Sequence, residues 1–377
     1  MKIYICKIKN IYMMKRNILI FVTALLLAAP AAVCGQGKRI DPLKEGAQVH
    51  GTGWTELRNG YVRLPEYARG TVREALWNLS RNSSGLSLVF RSNTGRLEVR
   101  CTLEDRMQMV HMPATGVSGV DLFAYDSRGR EHWCAPKFCP SFTQGSGTEV
   151  FYNYERLDYE QETDIYTYRL YLPLYNSVRS LELTVDEDCV FEFLPVGGDL
   201  PVVVYGTSIA QGACASRPGM AWTSIVERSL GCPVVNLGFS GNGRMEMEMF
   251  GLLNEIDAAA FVIDCLPNIN VEDDFETRLE QGIALLRAGH TCPIVLVEHS
   301  GYANDFTNHD RLYANQLNDR QEALYRKLRK KFSNLYYLTR EEIGWDNDCM
   351  VEGVHPNDHG MLLQAQAVTR ILRKALP

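Results

Sequence analysis

The chain has 377 residues, 46% of them hydrophobic and 22% charged, with 30 Gly and 15 Pro. That length accommodates two domains, and that apolar fraction excludes a largely disordered chain. The formal net charge is −6, and beyond the N-terminal leader no block of Lys and Arg offers the basic face that nucleic acid requires.

In chain order, residues 1–36 read as a signal peptide. Lys15 and Arg16 precede an apolar run over 18–29, which Pro30 interrupts before a string of small residues. The run is shorter than the roughly 20 apolar residues of a membrane span. An exported protein, periplasmic or secreted, is expected, with no membrane span. Cys34 would carry a lipid anchor, but Val33 stands where a lipoprotein signal has Gly, Ala or Ser, so anchoring is the less favoured form. Nine cysteines follow the leader, an odd number, so at least one thiol stays free or pairs with another chain. Cys134 and Cys139 lie closest in sequence, and no C-x-x-C or C-x-x-H spacing marks a zinc site.

Residues 37–197 read as an antiparallel β-sandwich. The segments 86–92, 96–103, 120–126, 166–174 and 180–186 are rich in β-branched and aromatic residues, and turn clusters such as SNTG and DSRG divide them. The pattern changes at 197–201. From 198 to 377, apolar runs at 201–205, 233–237, 259–266, 293–298 and 334–338 alternate with helical stretches. Those helices are expected near 222–230, 245–256, 275–288, 316–332 and 361–376. This alternation specifies an α/β fold, a doubly wound parallel sheet of five strands covered on both faces. In such sheets the reactive groups stand beyond the C-terminal strand ends, which directs attention to five loops.

Ser208 follows the first of these strands and could be a nucleophile, although a turn Ser more often caps a helix. His355 precedes the last helix, with Glu352 three residues earlier, a spacing that could let an acid orient an imidazole base. Asn268, after Pro267, offers an amide donor or a simple turn role, and Gly241 offers an unshielded backbone N–H. His299, His309 and His359 are rival bases; His299, at the end of the fourth strand, is also a candidate substrate contact. Arg217 and Arg244 could steer a substrate or be solvated charges. A phosphate-binding loop fails because Ala213 and Cys214 follow Gly212 where Lys and Ser/Thr are needed, and the 238–243 glycines have the wrong order for a dinucleotide site.

The order Ser208, Gly241, Asn268, His355, each in its own loop, resembles the four blocks of the SGNH (GDSL-type) hydrolases. The runs GTSIAQG, NLGFSGNG, DCLPN and EGVHPND carry the likeness, and the segment Gly119-Val120-Asp121-Leu122-Phe123 is similar to the Gly-x-Asp-Leu-Tyr motif of a branch with an N-terminal β domain. The resemblance implies a flavodoxin-like catalytic domain, with Ser208 as nucleophile, His355 as base and Glu352 as the third triad member. It implies an oxyanion hole from the Ser208 and Gly241 N–H groups and the Asn268 amide. Thr207 stands where the wider family has Asp, Glu352 where Asp is usual, and Phe123 where Tyr is usual. No metal or organic cofactor is implied. The expected activity is a serine esterase acting on a small-molecule or polysaccharide ester, foremost O-acetyl groups on carbohydrate. A lipase, lysophospholipase or thioesterase of the same fold is the alternative within the class. A non-catalytic glycan-binding protein, stacking sugars on Trp54, Trp77 or Trp133, is the alternative outside it.

Overall fold

The computed structural model describes residues 37–138, 140–143, 147–157 and 165–376. The expected signal peptide, Cys34 and Cys139 lie outside the described residues. No helix among the described residues is long and apolar enough to cross a membrane, and the eight described cysteines are all free thiols.

Among the described residues eleven strands build the N-terminal part: β1 (Lys38–Ile40), β2 (Val49–His50), β3 (Ser87–Ser92), β4 (Arg96–Leu103), β5 (Asp121–Tyr125), β6 (Glu131–Cys134), β7 (Ser141–Phe142), β8 (Glu149–Glu155), β9 (Tyr166–Tyr171), β10 (Val178–Val185) and β11 (Phe191–Phe193). One sheet runs β1-β10-β4-β8-β7; the other runs β11-β3-β9-β5-β6, with β2 on β3. Period-two alternation explains the core between them. Leu97, Val99, Cys101 and Leu103 of β4 and Val150, Tyr152 and Tyr154 of β8 point inward and are buried.

The second part is the parallel sheet, with β12 (Val202–Gly206), β13 (Val234–Gly238), β14 (Ala260–Asp264), β15 (Ile294–Val297) and β16 (Leu335–Leu338) in the order β13-β12-β14-β15-β16. Every residue of β12, β13 and β14 is buried, as near-continuous apolar strands require. Helices α4 (Trp222–Leu230) and α9 (Asp358–Ala375) cover one face, while α5 (Met247–Leu253), α6 (Phe275–Gly289) and α7 (Asn308–Leu328) cover the other. Helix α7 starts well before the expected 316 because its first turns, NHDRLYAN, carry no apolar stripe to announce them. Helix α5 is shorter than the expected 245–256.

One stretch of the expected sandwich is not sandwich. Residues 51–82 contain two short 3-10 turns and α1 (Glu74–Ser80), and their Trp54, Leu57, Leu64, Ala68, Val72 and Leu76 join the core on the α5–α7 face of the parallel sheet. Within this stretch the Arg63 guanidinium is buried and donates to the carbonyls of Leu79 (2.7 Å), Asn82 (2.8 Å) and Gly238 (2.6 Å). The two parts also share polar seams. Arg169 on β9 pairs with Glu227 on α4 at 2.9 Å, and Tyr171 donates to the same carboxylate at 2.7 Å.

The segment Gly119–Phe123 forms another seam. Asp121 is 3% exposed and accepts from Arg217 (2.6 Å), Trp133 Nε1 (2.8 Å) and the Gly219 N–H (3.0 Å). Burial raises its pKa, and these three donors pull it back. Phe123 lies under the guanidinium groups of Arg217 and Arg228. Arg217 is thus a structural clamp, not a substrate-steering or solvated charge. Trp133 is held in the same clamp, and Trp54 is buried with its N–H on Glu255, which leaves it no face for a sugar.

Asp264, at the C-terminal end of β14, is a buried carboxyl whose Oδ2 has no hydrogen-bond partner. Desolvation alone pushes it from an ordinary 3.8 up to about 7. Between these values the unfolded chain releases the proton while the folded chain keeps it, so raising the pH favours unfolding. An Asp264→Asn variant should therefore gain stability over the unaltered protein as pH rises from about 4 to about 7, by up to roughly 4 kcal/mol. Urea denaturation at acid and neutral pH reads this difference. At the β seam, Asp121→Ala strands Arg217 in a half-buried position and should cost about 3–5 kcal/mol in the same assay.

Candidate active site

The nucleophile candidate owes its position to the end of β12. The strand ends at Gly206, and Thr207 adopts an extended conformation and caps the short helix α3 (Ser208–Gln211), its side chain accepting from the Ile209 N–H at 3.3 Å. Thr207 therefore takes the capping role that the sequence left open for Ser208, and the Ser208 hydroxyl is free for another partner. That partner is His355: Oγ and Nε2 are 2.8 Å apart.

His355 sits in the loop before α9, whose start is fixed by Asn357, the cap that accepts from the His359 and Gly360 N–H groups. The His355 Nδ1 meets Glu352 Oε1, and the same oxygen accepts the His355 backbone N–H at 2.9 Å. The extra methylene of Glu over Asp is absorbed by the turn, because one oxygen reaches both the ring and the main chain. Nδ1 bonded to a carboxylate leaves Nε2 as the basic nitrogen facing the hydroxyl, the tautomer a general base needs. The Glu352 and His355 side chains are 38% and 20% exposed, so the array opens to solvent.

Gly241 and Asn268 belong to adjoining loops. Gly241 has φ +68°, a left-handed conformation that glycine adopts without strain. Gly243 lies so close to the Gly206 carbonyl that a Cβ there would collide with it. The Asn268 carboxamide is oriented with its oxygen accepting from Gly243 N–H (3.1 Å) and Asn242 N–H (3.0 Å), two contacts that outweigh a single longer one from Nδ2 to the Phe239 carbonyl at 3.3 Å in the reverse orientation. Asn268 thereby ties the loop after β14 to the turn that holds Gly241.

The rival histidines go elsewhere. His299 is 1% exposed; its Nδ1 accepts from the Gly301 N–H at 2.9 Å, its ring packs on Tyr302, and burial pushes its pKa down to about 4. A neutral, enclosed imidazole of this kind is a packing residue, and its observed contacts give no support to the substrate role considered from sequence. His309 is exposed and pairs with Asp310; His359 pairs with Asp346 at 3.5 Å. Arg244 is exposed and donates through Nε to the Gly241 carbonyl at 2.9 Å, bracing the turn.

Three supports of the site were not legible as motifs. Arg63 reaches the Gly238 carbonyl from the 51–82 stretch. Arg73 from the same stretch bonds Asn242 Oδ1 (2.6 Å) and Glu246. Tyr175 donates to the Ser208 carbonyl at 3.2 Å. Each is a lone residue far from the site in sequence, and only the tertiary packing reveals its partner.

Comparison with known proteins places both parts of the chain. Residues 199–373 match the GDSL-like lipase/acylhydrolase family, and residues 38–191 match the N-terminus of SGNH-hydrolase-type esterases. The crystal structure of a protein from Bacteroides ovatus ATCC 8483 described as a GDSL-like lipase is similar at a TM-score of 0.80 and 28% identity, over 90% of this chain and 97% of that one. The salicylyl-acyltransferase SsfX3 from a tetracycline biosynthetic pathway shares the fold at a TM-score of 0.69 and 17% identity, over 90% of this chain and 98% of that one. No match was found among curated proteins. The chain thus carries a domain of the GDSL-like lipase/acylhydrolase family at 199–373, preceded at 38–191 by the N-terminal domain of SGNH-hydrolase-type esterases.

Proposed function

We propose that the protein is an exported serine esterase that hydrolyses carboxylic esters through an acyl-enzyme, with O-acetyl groups on carbohydrate as its substrates. The observation that carries this reading is the 2.8 Å contact between Ser208 Oγ and His355 Nε2 at the C-terminal edge of the sheet. In this reading Ser208 Oγ attacks the ester carbonyl carbon as His355 Nε2 takes its proton. Glu352 holds the imidazole and stabilises the imidazolium. The Ser208 and Gly241 N–H groups and the Asn268 amide stabilise the oxyanion. The tetrahedral intermediate collapses, the C–O bond to the alcohol breaks, and His355 protonates the departing alkoxide. Water, deprotonated by His355, then attacks the acyl-Ser208, and the acid leaves as Oγ recovers the proton.

The substrate class rests on the rim. The exposed Arg244, the partly exposed Asn242 and the open side of Glu352 present polar groups beside the nucleophile's loop system. Polar groups open to solvent at the mouth suit a large hydroxylated alcohol, whereas a long acyl chain needs an enclosing apolar wall.

Acetate release from acetylated plant polysaccharide and hydrolysis of a short aryl ester test the reading. Both should occur with the mature protein, and Ser208→Ala should lower kcat by at least about 10⁴-fold while the fold, followed by circular dichroism, is unchanged. Aryl ester hydrolysis without acetate release would keep the mechanism and remove the carbohydrate substrate. Glu352→Gln should lower kcat about 10²- to 10⁴-fold with little change in KM, because it removes the group that fixes the base.

A further inference from the structure

The β part sends one loop to the hydrolase site. Residues 105–113 run from β4 toward α2 (Ala114–Val117), and Met109 and Met112 close a tight turn with Val110 and His111 at its tip. Met112 is buried, and Met107 and Met109 pack against the same core on the α4–α9 face, so the turn is anchored from below. His111 is exposed, and its ring centroid lies 6.0 Å from that of His355.

Cys214 completes a cluster. It follows the nucleophile helix with φ +66°, a conformation that costs a non-glycine residue roughly 1 kcal/mol, and its buried Sγ lies 3.3 Å from the His111 carbonyl. One ligand atom from each of His111, Cys214 and His355 lies within 4.8 Å of the others. Two imidazoles and a thiol are the donor set of a borderline or soft cation, and hard cations such as Mg²⁺ disfavour it. In a tetrahedral zinc site ligand atoms stand about 3.5 Å apart, given metal–ligand distances near 2.0–2.3 Å. The closure needed is on the order of 1 Å, and the exposed His111 side chain is free to supply it. The Glu352 carboxylate, bonded to His355, adds negative charge beside the cluster.

We propose that His111, Cys214 and His355 form an inhibitory site for a borderline divalent cation such as Zn²⁺. The metal displaces the Cys214 thiol proton to solvent and is held by the thiolate and the two imidazoles, with water in the fourth position. Both nitrogens of His355 are already engaged, Nε2 by Ser208 and Nδ1 by Glu352. A metal on either one removes the base from the chain of contacts that activates Ser208. The inhibitory half of the proposal rests on the esterase reading above; the binding half does not.

The test therefore separates the two. Binding is read with Co²⁺ on the Ser208→Ala protein, where a thiolate–Co²⁺ charge-transfer band should appear and should be lost in proteins that also carry Cys214→Ser or His111→Ala. Inhibition is read with Zn²⁺ on the unaltered protein, where aryl ester hydrolysis should fall and EDTA should restore it, with Mg²⁺ inert. In metal-free buffer His111→Ala should hydrolyse the ester as the unaltered protein does, and its apparent Zn²⁺ affinity should drop about 10- to 100-fold. His111 is exposed, so this variant remains informative if Cys214→Ser does not fold. Absence of the Co²⁺ band, or Zn²⁺ inhibition indifferent to His111→Ala, overturns the site. A Co²⁺ band that depends on His111 in a protein without any esterase activity upholds the site and overturns the esterase reading instead.

Discussion

A parallel sheet must have both faces covered while its C-terminal edge stays open, and this constraint organises the whole molecule. Helices alone do not meet it here. The 51–82 stretch completes the cover of the α5–α7 face with Trp54, Leu64, Ala68 and Leu76. In doing so it places Arg63 under the loop that carries Gly241. Burial drives the Arg63 pKa down to about 9, so the guanidinium is held at a cost in solvation. The carbonyls of Leu79, Asn82 and Gly238 offset that cost, and the same bonds pin the end of β13, from which the Gly241 loop departs.

Adjacent residues divide their labour at the start of α3. Thr207 satisfies the helix start with its own hydroxyl, and Ser208, one position on, has no local backbone group to serve. Had Ser208 been the cap, its hydroxyl would be held by the helix instead of His355. A similar economy operates at the other end of the array, where one Glu352 oxygen holds both the ring and the backbone of His355. Orientation of the imidazole comes from a single turn.

The parallel sheet and its five site loops were legible because long apolar strands and ordered Gly, Ser, Asn and His positions are local signals. The sandwich strands at 96–103 and 180–186 were legible from alternation. The 51–82 stretch was not: Leu64, Ala68, Val72 and Leu76 recur at helical spacing, yet Pro65 and Gly70 break the run into short turns before a helix forms only at Glu74–Ser80. The polar start of α7 failed for the opposite reason, being regular but without an apolar stripe. Arg217 and Trp133 looked like surface chemistry in sequence. Their orientation is decided by Asp121, which accepts from both, and no spacing encodes that encounter. The His111–Cys214–His355 cluster has the same character, three segments meeting with no shared motif.

The bonds of Arg63 and Arg73 to the Gly238–Glu246 region bear on how such a chain can be recombined. The hydrolase loops take their shape partly from side chains more than a hundred positions upstream. A parallel-sheet part moved behind a different leading domain would keep Ser208 and His355 but lose the side chains that hold the Gly238–Glu246 region. The two parts are thus less like interchangeable beads on a string than like an arch and its keystone, and a change in one must be matched by a change in the other.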